Sequence, residues 1–304
     1  MHREGVPVDT DRVIVTTGVQ QAVSLLAAHH LRPGALVITE PATSLGALDA
    51  FRAVGARIEA APAGPEGIDG LLHLAAERQP ALIYVIPTHN NVTGEVTSVF
   101  ERRHIARFAE ETGTTVIEDR SHAGVGFIDE LPPPLASFSQ TAEMAVADSM
   151  SKRAWTGLRV GWIIAPPSAV GPHGRAKGVA DLGTPQLSQC IAAKLLHKAP
   201  EIDQERRATA FACLRVLSRE LERHLPEWEW QEPTGGLSLW VRLPGADAKQ
   251  YALRAGAAVL PGPLLSAPGY VTDRIRVSYH LPEDQLTEGV GRLATAWKQY
   301  RRHT

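Results

Sequence analysis

Short runs rich in aliphatic and β-branched residues alternate with helix-length amphipathic patterns through the first half of this chain, and that alternation constrains its fold most. The β-type runs lie at 12–16, 35–39, 57–61, 81–86, 114–117 and 144–147, and helical patterns at 19–31, 40–54, 68–77 and 97–111 separate most of them. Alternation at this spacing makes a mostly parallel sheet with helices on both faces, because parallel neighbours need a crossover between them. Beyond Pro166-Pro167 the pattern changes to long helical stretches at 186–197 and 201–224, then β-type runs at 234–241, 257–260 and 274–279 and a last helix at 283–300. The reading is an α/β large domain over 1–170, followed over 171–304 by linking helices and a smaller α+β domain.

Open α/β sheets keep their chemistry in the loops at the carboxyl ends of the strands. The loop that follows the run 144–147 reads SMSKRAWTGLRVG over 149–161. A lysine amine in a partly desolvated pocket has a lowered pKa and condenses with carbonyls, which makes Lys152 a candidate Schiff-base residue. Ser149, Ser151 and Arg159 are the hydroxyl and guanidinium donors that a phosphate monoester needs. One loop therefore suits both ends of pyridoxal 5'-phosphate. Gly18 opens the helical pattern at 19–31, and a helix entered through glycine presents free N–H groups and a positive dipole end to an anion.

With the lysine in S-x-S-K and an arginine seven positions on in G-L-R-x-G, the segment resembles the cofactor-lysine stretch of fold-type I pyridoxal-phosphate enzymes. The chain is identified as a member of the class I/II aminotransferases, with its greatest likeness to the aminotransferase-like domain of MocR-type, GntR-family regulators. The resemblance implies that Gly18, Val19 and Gln20 lay their amides on the cofactor phosphate. It implies that Asn91, in Asn91-Val92-Thr93-Gly94, donates to the cofactor's phenolic oxygen, and that Asp119 pairs with the protonated pyridine nitrogen, keeping the ring an electron sink. It further implies that Arg276 grips a substrate carboxylate, with Arg274 as the residue a register error would exchange for it.

Two departures stand out. Relatives carry a stacking tyrosine where this chain has Ser44, and a phenol donor where it has Ser121 and His122. The resemblance also begins late, since Val6-Pro7-Val8-Asp9 already precedes the first large-domain run. The expectation is a shortened chain, lacking the winged helix-turn-helix and the start of the catalytic domain, that transaminates poorly.

Composition narrows the rest. A chain of 304 residues, 44% hydrophobic and with a net charge of −2, is an ordinary globular protein without an electrostatic pull towards nucleic acid. Nothing resembling a membrane span or signal peptide is read, so a cytoplasmic protein is expected, and the resemblance implies a homodimer acting on amino acids and 2-oxo acids. Cys190 and Cys213 lack ligand spacing, and no metal site is read. The leading reading is a pyridoxal-phosphate-dependent aminotransferase. The alternatives are an effector-sensing domain of a transcriptional regulator and another pyridoxal-phosphate reaction, such as decarboxylation or elimination.

Overall fold

The computed structural model describes residues 9–303, apart from 63, 65, 129 and 140. The expected lead-in Val6-Pro7-Val8 lies outside them. Seven strands form the large sheet: β1 (Val13–Thr16), β2 (Leu36–Thr39), β3 (Arg57–Ala60), β4 (Leu82–Val85), β5 (Thr115–Asp119), β6 (Met144–Ser149) and β7 (Gly161–Ile164). Their order is β1-β7-β6-β5-β4-β2-β3. Strands β2 to β6 are parallel, and β7 is antiparallel to both its neighbours. The β6–β7 connection is too short for a crossover helix of ordinary length, so β7 returns beside β6 in the opposite direction.

Period-two alternation divides the sheet between two cores. Along β4, Leu82 and Tyr84 face α1 (Val19–His30) and α2 (Leu45–Ala53), whereas Ile83 and Val85 face α3 (Gly67–Arg78) and α4 (Val99–Thr112). All four of these strand residues are buried, as expected for a strand covered on both faces. Helix α4 opens with a capping box in which Ser98 and Glu101 each bond the other's backbone N–H.

After β7 the chain forms α6 (Val170–Asp181), which packs on the α1 side of the sheet. The short helix before it, α5 (Met150–Arg153), lies in the β6–β7 loop. Then come α7 (Gln186–His197), α8 (Ala199–His224), β8 (Glu229–Trp230), β9 (Ser238–Arg242), α9 (Ala248–Ala252), β10 (Leu260–Pro261), β11 (Arg274–Ser278) and α10 (Glu283–His303). The antiparallel sheet β10-β11-β9-β8 is covered by α8 and α10, which share a core of Leu214, Leu217 and Leu221 with Val290, Leu293 and Trp297. A backbone bridge between Gly126 and Gly235 joins the two units, supported by the Phe127 N–H donating to the Thr234 carbonyl at 2.8 Å. Among the described residues no helix is long and apolar enough to cross a membrane.

Candidate active site

Strand β5 ends in two adjacent carboxylates that the pleat sends to opposite faces. Glu118 turns towards α4, where it lies 3.6 Å from the buried Arg102 and 3.3 Å from Arg120, and it accepts the Leu135 N–H at 2.9 Å. Asp119 turns to the other face and accepts from the Tyr84 hydroxyl at 2.6 Å and from the Ser121 N–H at 2.8 Å. Burial pushes the Asp119 carboxyl above its ordinary range, while those hydrogen bonds and the Lys152 charge pull it back.

One strand over, Ser149 ends β6 and caps α5, its hydroxyl oxygen accepting the Ser151 N–H at 3.0 Å and its proton reaching the Ser151 oxygen at 2.9 Å. This local cap turns the chain so that Lys152 faces Asp119 and Arg276. Burial first, and then the Arg276 charge, hold the Lys152 amine below its usual pKa, with Asp119 acting in the opposite direction. A lysine so placed has an enlarged free-amine population near neutral pH.

The N-terminus of α1 abuts the same loop. Gly18, at φ +123°, makes the turn into the helix, and a Cβ there would lie 3.0 Å from the Arg159 Nη2 atom. A guanidinium therefore rests against a helix N-terminus, and two positive ends meet where only an anion would satisfy both. Gln20 points elsewhere: its Nε2 donates to the Gly46 carbonyl at 2.7 Å, tying α1 to the start of α2.

The loop at 87–97 brings in Asn91. Arg102 holds it from below, donating to the Pro87 and Thr97 carbonyls and to the Thr88 hydroxyl. Asn90 builds the turn itself, accepting the Val92 and Thr93 N–H groups. Gly94, at φ +74°, lies so close to Pro233 that a Cβ would come within 2.3 Å of it, so this loop seats directly on the small unit. From that unit Arg276 reaches across to the Asn91 carbonyl at 3.5 Å. The register pairs Arg276 with Trp240 and Leu260, whereas Arg274 pairs with Arg242, which is itself held by Glu229 and Asp273.

These elements enclose a cavity of about 380 Å³. Its lining brings together Val19, Asn91, Asp119, Ser121, His122, Lys152 and Arg276. Arg274 is absent from it, and Gly18, Gln20, Ser149, Ser151 and Arg159 lie outside the lining, the last beside the α1 N-terminus. Ser44 lines it at the N-cap of α2. Burial, then the Lys152, Arg276 and His89 charges, push His122 down to about 3, so it is a neutral imidazole, and its Nδ1 lies 3.2 Å from the Ser121 hydroxyl. Some site residues were not foreseen from sequence. Tyr84 owes its role to pairing between distant strands, and Ser238, Ser278 and His280 line the cavity from the small unit.

The residues present fit pyridoxal 5'-phosphate. Asn91 Oδ1 and Arg276 Nε are buried without hydrogen-bond partners, as groups awaiting a ligand would be. Asp119 is a buried carboxylate at the cavity wall, and a cationic ring nitrogen would offset the cost of ionising it.

The family model for aminotransferase class I and II matches residues 1–293. The 2-aminoadipate transaminase of Thermus thermophilus is 33% identical over 97% of this chain and 77% of its own length. The crystal structure of LysN, the alpha-aminoadipate aminotransferase of that organism, complexed with N-(5'-phosphopyridoxyl)-L-leucine, superposes with a TM-score of 0.90. That match, at 31% identity, covers all of this chain and 81% of LysN. The expected likeness to a shortened MocR-type, GntR-family regulator domain is thereby corrected. The HTH-type regulator YdfD of Bacillus subtilis shares 28% identity over 97% of this chain, below the free-standing transaminase. The expectation went astray because it weighed a cofactor-lysine motif that enzymes and regulators share.

Proposed function

This chain belongs to the aminotransferase class I and II family and moves amino groups between amino acids and 2-oxo acids with pyridoxal 5'-phosphate, and from that premise we propose the roles of its residues. The observation that carries the assignment is the meeting of Lys152, Asp119 and Arg276 in one cavity, with the Lys152 pKa lowered by its surroundings.

When bound, the cofactor supplies an aldehyde that condenses with amines and a ring that takes up the electron pair left as a Cα–H bond breaks. The chain does the rest. Gly18, Val19 and Gln20 offer the α1 N-terminus, and Ser149, Ser151 and Arg159 their side chains, to the phosphate. Asp119, oriented by Tyr84 and the Ser121 N–H, holds the proton on the ring nitrogen. Asn91 and His122, with Ser121 behind it, donate to the phenolic oxygen. The Lys152 Nζ would take the proton from the substrate Cα and give it to the cofactor carbon that had carried the aldehyde. Arg276 clamps the substrate carboxylate in a bidentate pair.

Beyond the shared chemistry, we assign amino donors with uncharged side chains. Leu45, Leu237 and Leu260 line the cavity, its lining cations are Lys152 and Arg276, and the acidic Asp49 at the same cavity is paired with Arg52 at 2.9 Å, so the lining offers a second substrate carboxylate no cation of its own. Relative rates with leucine, phenylalanine, aspartate and 2-aminoadipate test this, with the two apolar donors expected to lead. Higher kcat/KM for either dicarboxylic donor would overturn it.

A homodimer fits the surface. Leu187 and Ile191, one turn apart on α7, are 75% and 41% exposed, and Trp155, three residues after Lys152, is 65% exposed. Exposed aliphatic side chains one turn apart on a helix, and an exposed tryptophan in the cofactor-lysine loop, suit a partner surface. The exposed free thiol of Cys190 fits a reducing compartment, which supports a cytoplasmic location. The division into a cofactor-binding unit over 1–170 and a linking and small unit over 171–304 is retained on the same footing.

A further inference from the structure

Three histidines meet at the end of α1 remote from the active site. His29 and His30 occupy its last turn, and His173 projects from the first turn of α6. The ring centroids of His29 and His173 are 4.5 Å apart, those of His29 and His30 4.7 Å, and those of His30 and His173 5.3 Å. None of the three pairs is stacked, so the rings meet edge-on or tilted.

Each ring offers one nitrogen such that all three atoms lie within 4.8 Å of one another. His173 is fully buried, yet both its nitrogens lack a hydrogen-bond partner, as does the buried His30 Nε2. Buried polar atoms left unpaired are rare and ask for an explanation. Neither packing nor catalysis supplies one here. The cluster lies about 16 Å along α1 from Gly18.

We propose that His29, His30 and His173 form a binding site for a divalent zinc-like ion. Three imidazole nitrogens are the donor set of a tetrahedral ion with one open position. Bonds of that type put the nitrogens about 3.3 Å apart, which ring rotations can reach from the spacing seen. His29 and His30 are half-buried, which leaves the ion a route from solvent. Two cations share α6 with His173: Arg175, whose Nη1 would lie 3.5 Å from a Cβ at Gly171, and Lys177, which is bonded to Asp181, itself accepting from Gln21 on α1. The negative end of the α1 dipole favours the ion, while the α6 N-terminus opposes it, so the affinity comes from the donor triad. A bound ion would pin α1 to α6 and so steady the helix whose other end faces the cofactor phosphate.

The test is equilibrium dialysis of the cofactor-loaded enzyme against Zn²⁺ alone, with thermal melting in parallel. One tightly held zinc per chain and a raised Tm are expected. His29→Gln, at a half-exposed position where folding should survive, should weaken that binding at least ~100-fold and remove the Tm gain, with transamination unchanged. His30→Gln should behave the same way. No zinc bound by the unmodified enzyme, or equal binding in both variants, would overturn the site and leave three histidines packed as neutral rings.

Discussion

Arg276 and Lys152 are coupled, because each raises the cost of charge on the other inside one cavity. Truncating Arg276→Ala should therefore do two things at once. It should raise KM for the amino acid by ~100-fold, the scale of a lost charge-assisted pair, and it should move the Lys152 pKa up towards its ordinary value. Steady-state kinetics reads the first effect, and the pH profile of aldehyde labelling of the apo-protein reads the second. An equal effect from Arg274→Ala would contradict the register that pairs Arg274 with Arg242. At this scale much was legible. Lys152, Asp119, Asn91 and Arg276 each stand beside a strand or turn that the sequence marks, and the chain's path then brings them together. Tyr84 was not legible, since an aliphatic-rich run gives no sign that its hydroxyl meets a carboxylate 35 residues on. The choice of Asp119 over Glu118 rests on the resemblance, because which of two adjacent carboxylates faces the cavity depends on sheet register.

Elements position those residues, and their stability terms separate cleanly from the chemistry. Ser98 closes the capping box of α4 on the far side of the sheet, so Ser98→Ala should lower stability by about 1 kcal/mol in denaturant melts and leave kcat unchanged. Arg102 is a different case. It is wholly buried, it ties the Asn91 loop to the sheet, and it is one of two guanidiniums beside Glu118, so Arg102→Ala should cost about 3–5 kcal/mol by leaving that carboxylate with Arg120 alone and several carbonyls unmatched. A loss under about 1 kcal/mol in the same melts would show that the loop is held by other means. The helices α1 to α4 were readable from their periodicity. Helix α6 was not, because Gly171, Pro172, Gly174 and Gly178 disguise it, and only packing against α1 and the sheet keeps it helical. The two-residue strand β8 carries too little pattern to be seen.

For the whole molecule, buried titratable groups set the pH response. His30, His89, His122, His173 and His280 all have folded pKa values below the ordinary 6.5. Their contribution is fully present above about 6.5 and is lost as pH falls, towards 4 for His30, His89 and His173 and towards 3 for His122. Glu40, at about 7, Asp148, at about 6, and Asp119 are raised, so their contribution runs the other way, present at low pH and lost as pH rises through those values. Five lowered histidines against three raised carboxyls give a net loss of stability for the apo-protein between about pH 6.5 and 4.5. Chemical melts across that window check the sign, and stability that grew on acidification would contradict it. The proposed dimer belongs to this scale too. Sedimentation should give about twice the 32.8 kDa chain mass, and the double change Leu187→Asp with Ile191→Asp should give the single chain.

The assignment of Lys152 as the residue that carries the cofactor is tested most directly by borohydride reduction of the cofactor-loaded enzyme followed by peptide mapping. The phosphopyridoxyl group should be found on Lys152, and Lys152→Ala should carry none while keeping its fold by circular dichroism. Label on Lys177, Lys194 or Lys198 in the unmodified chain would contradict the assignment and with it the proton-transfer role given to the Lys152 amine.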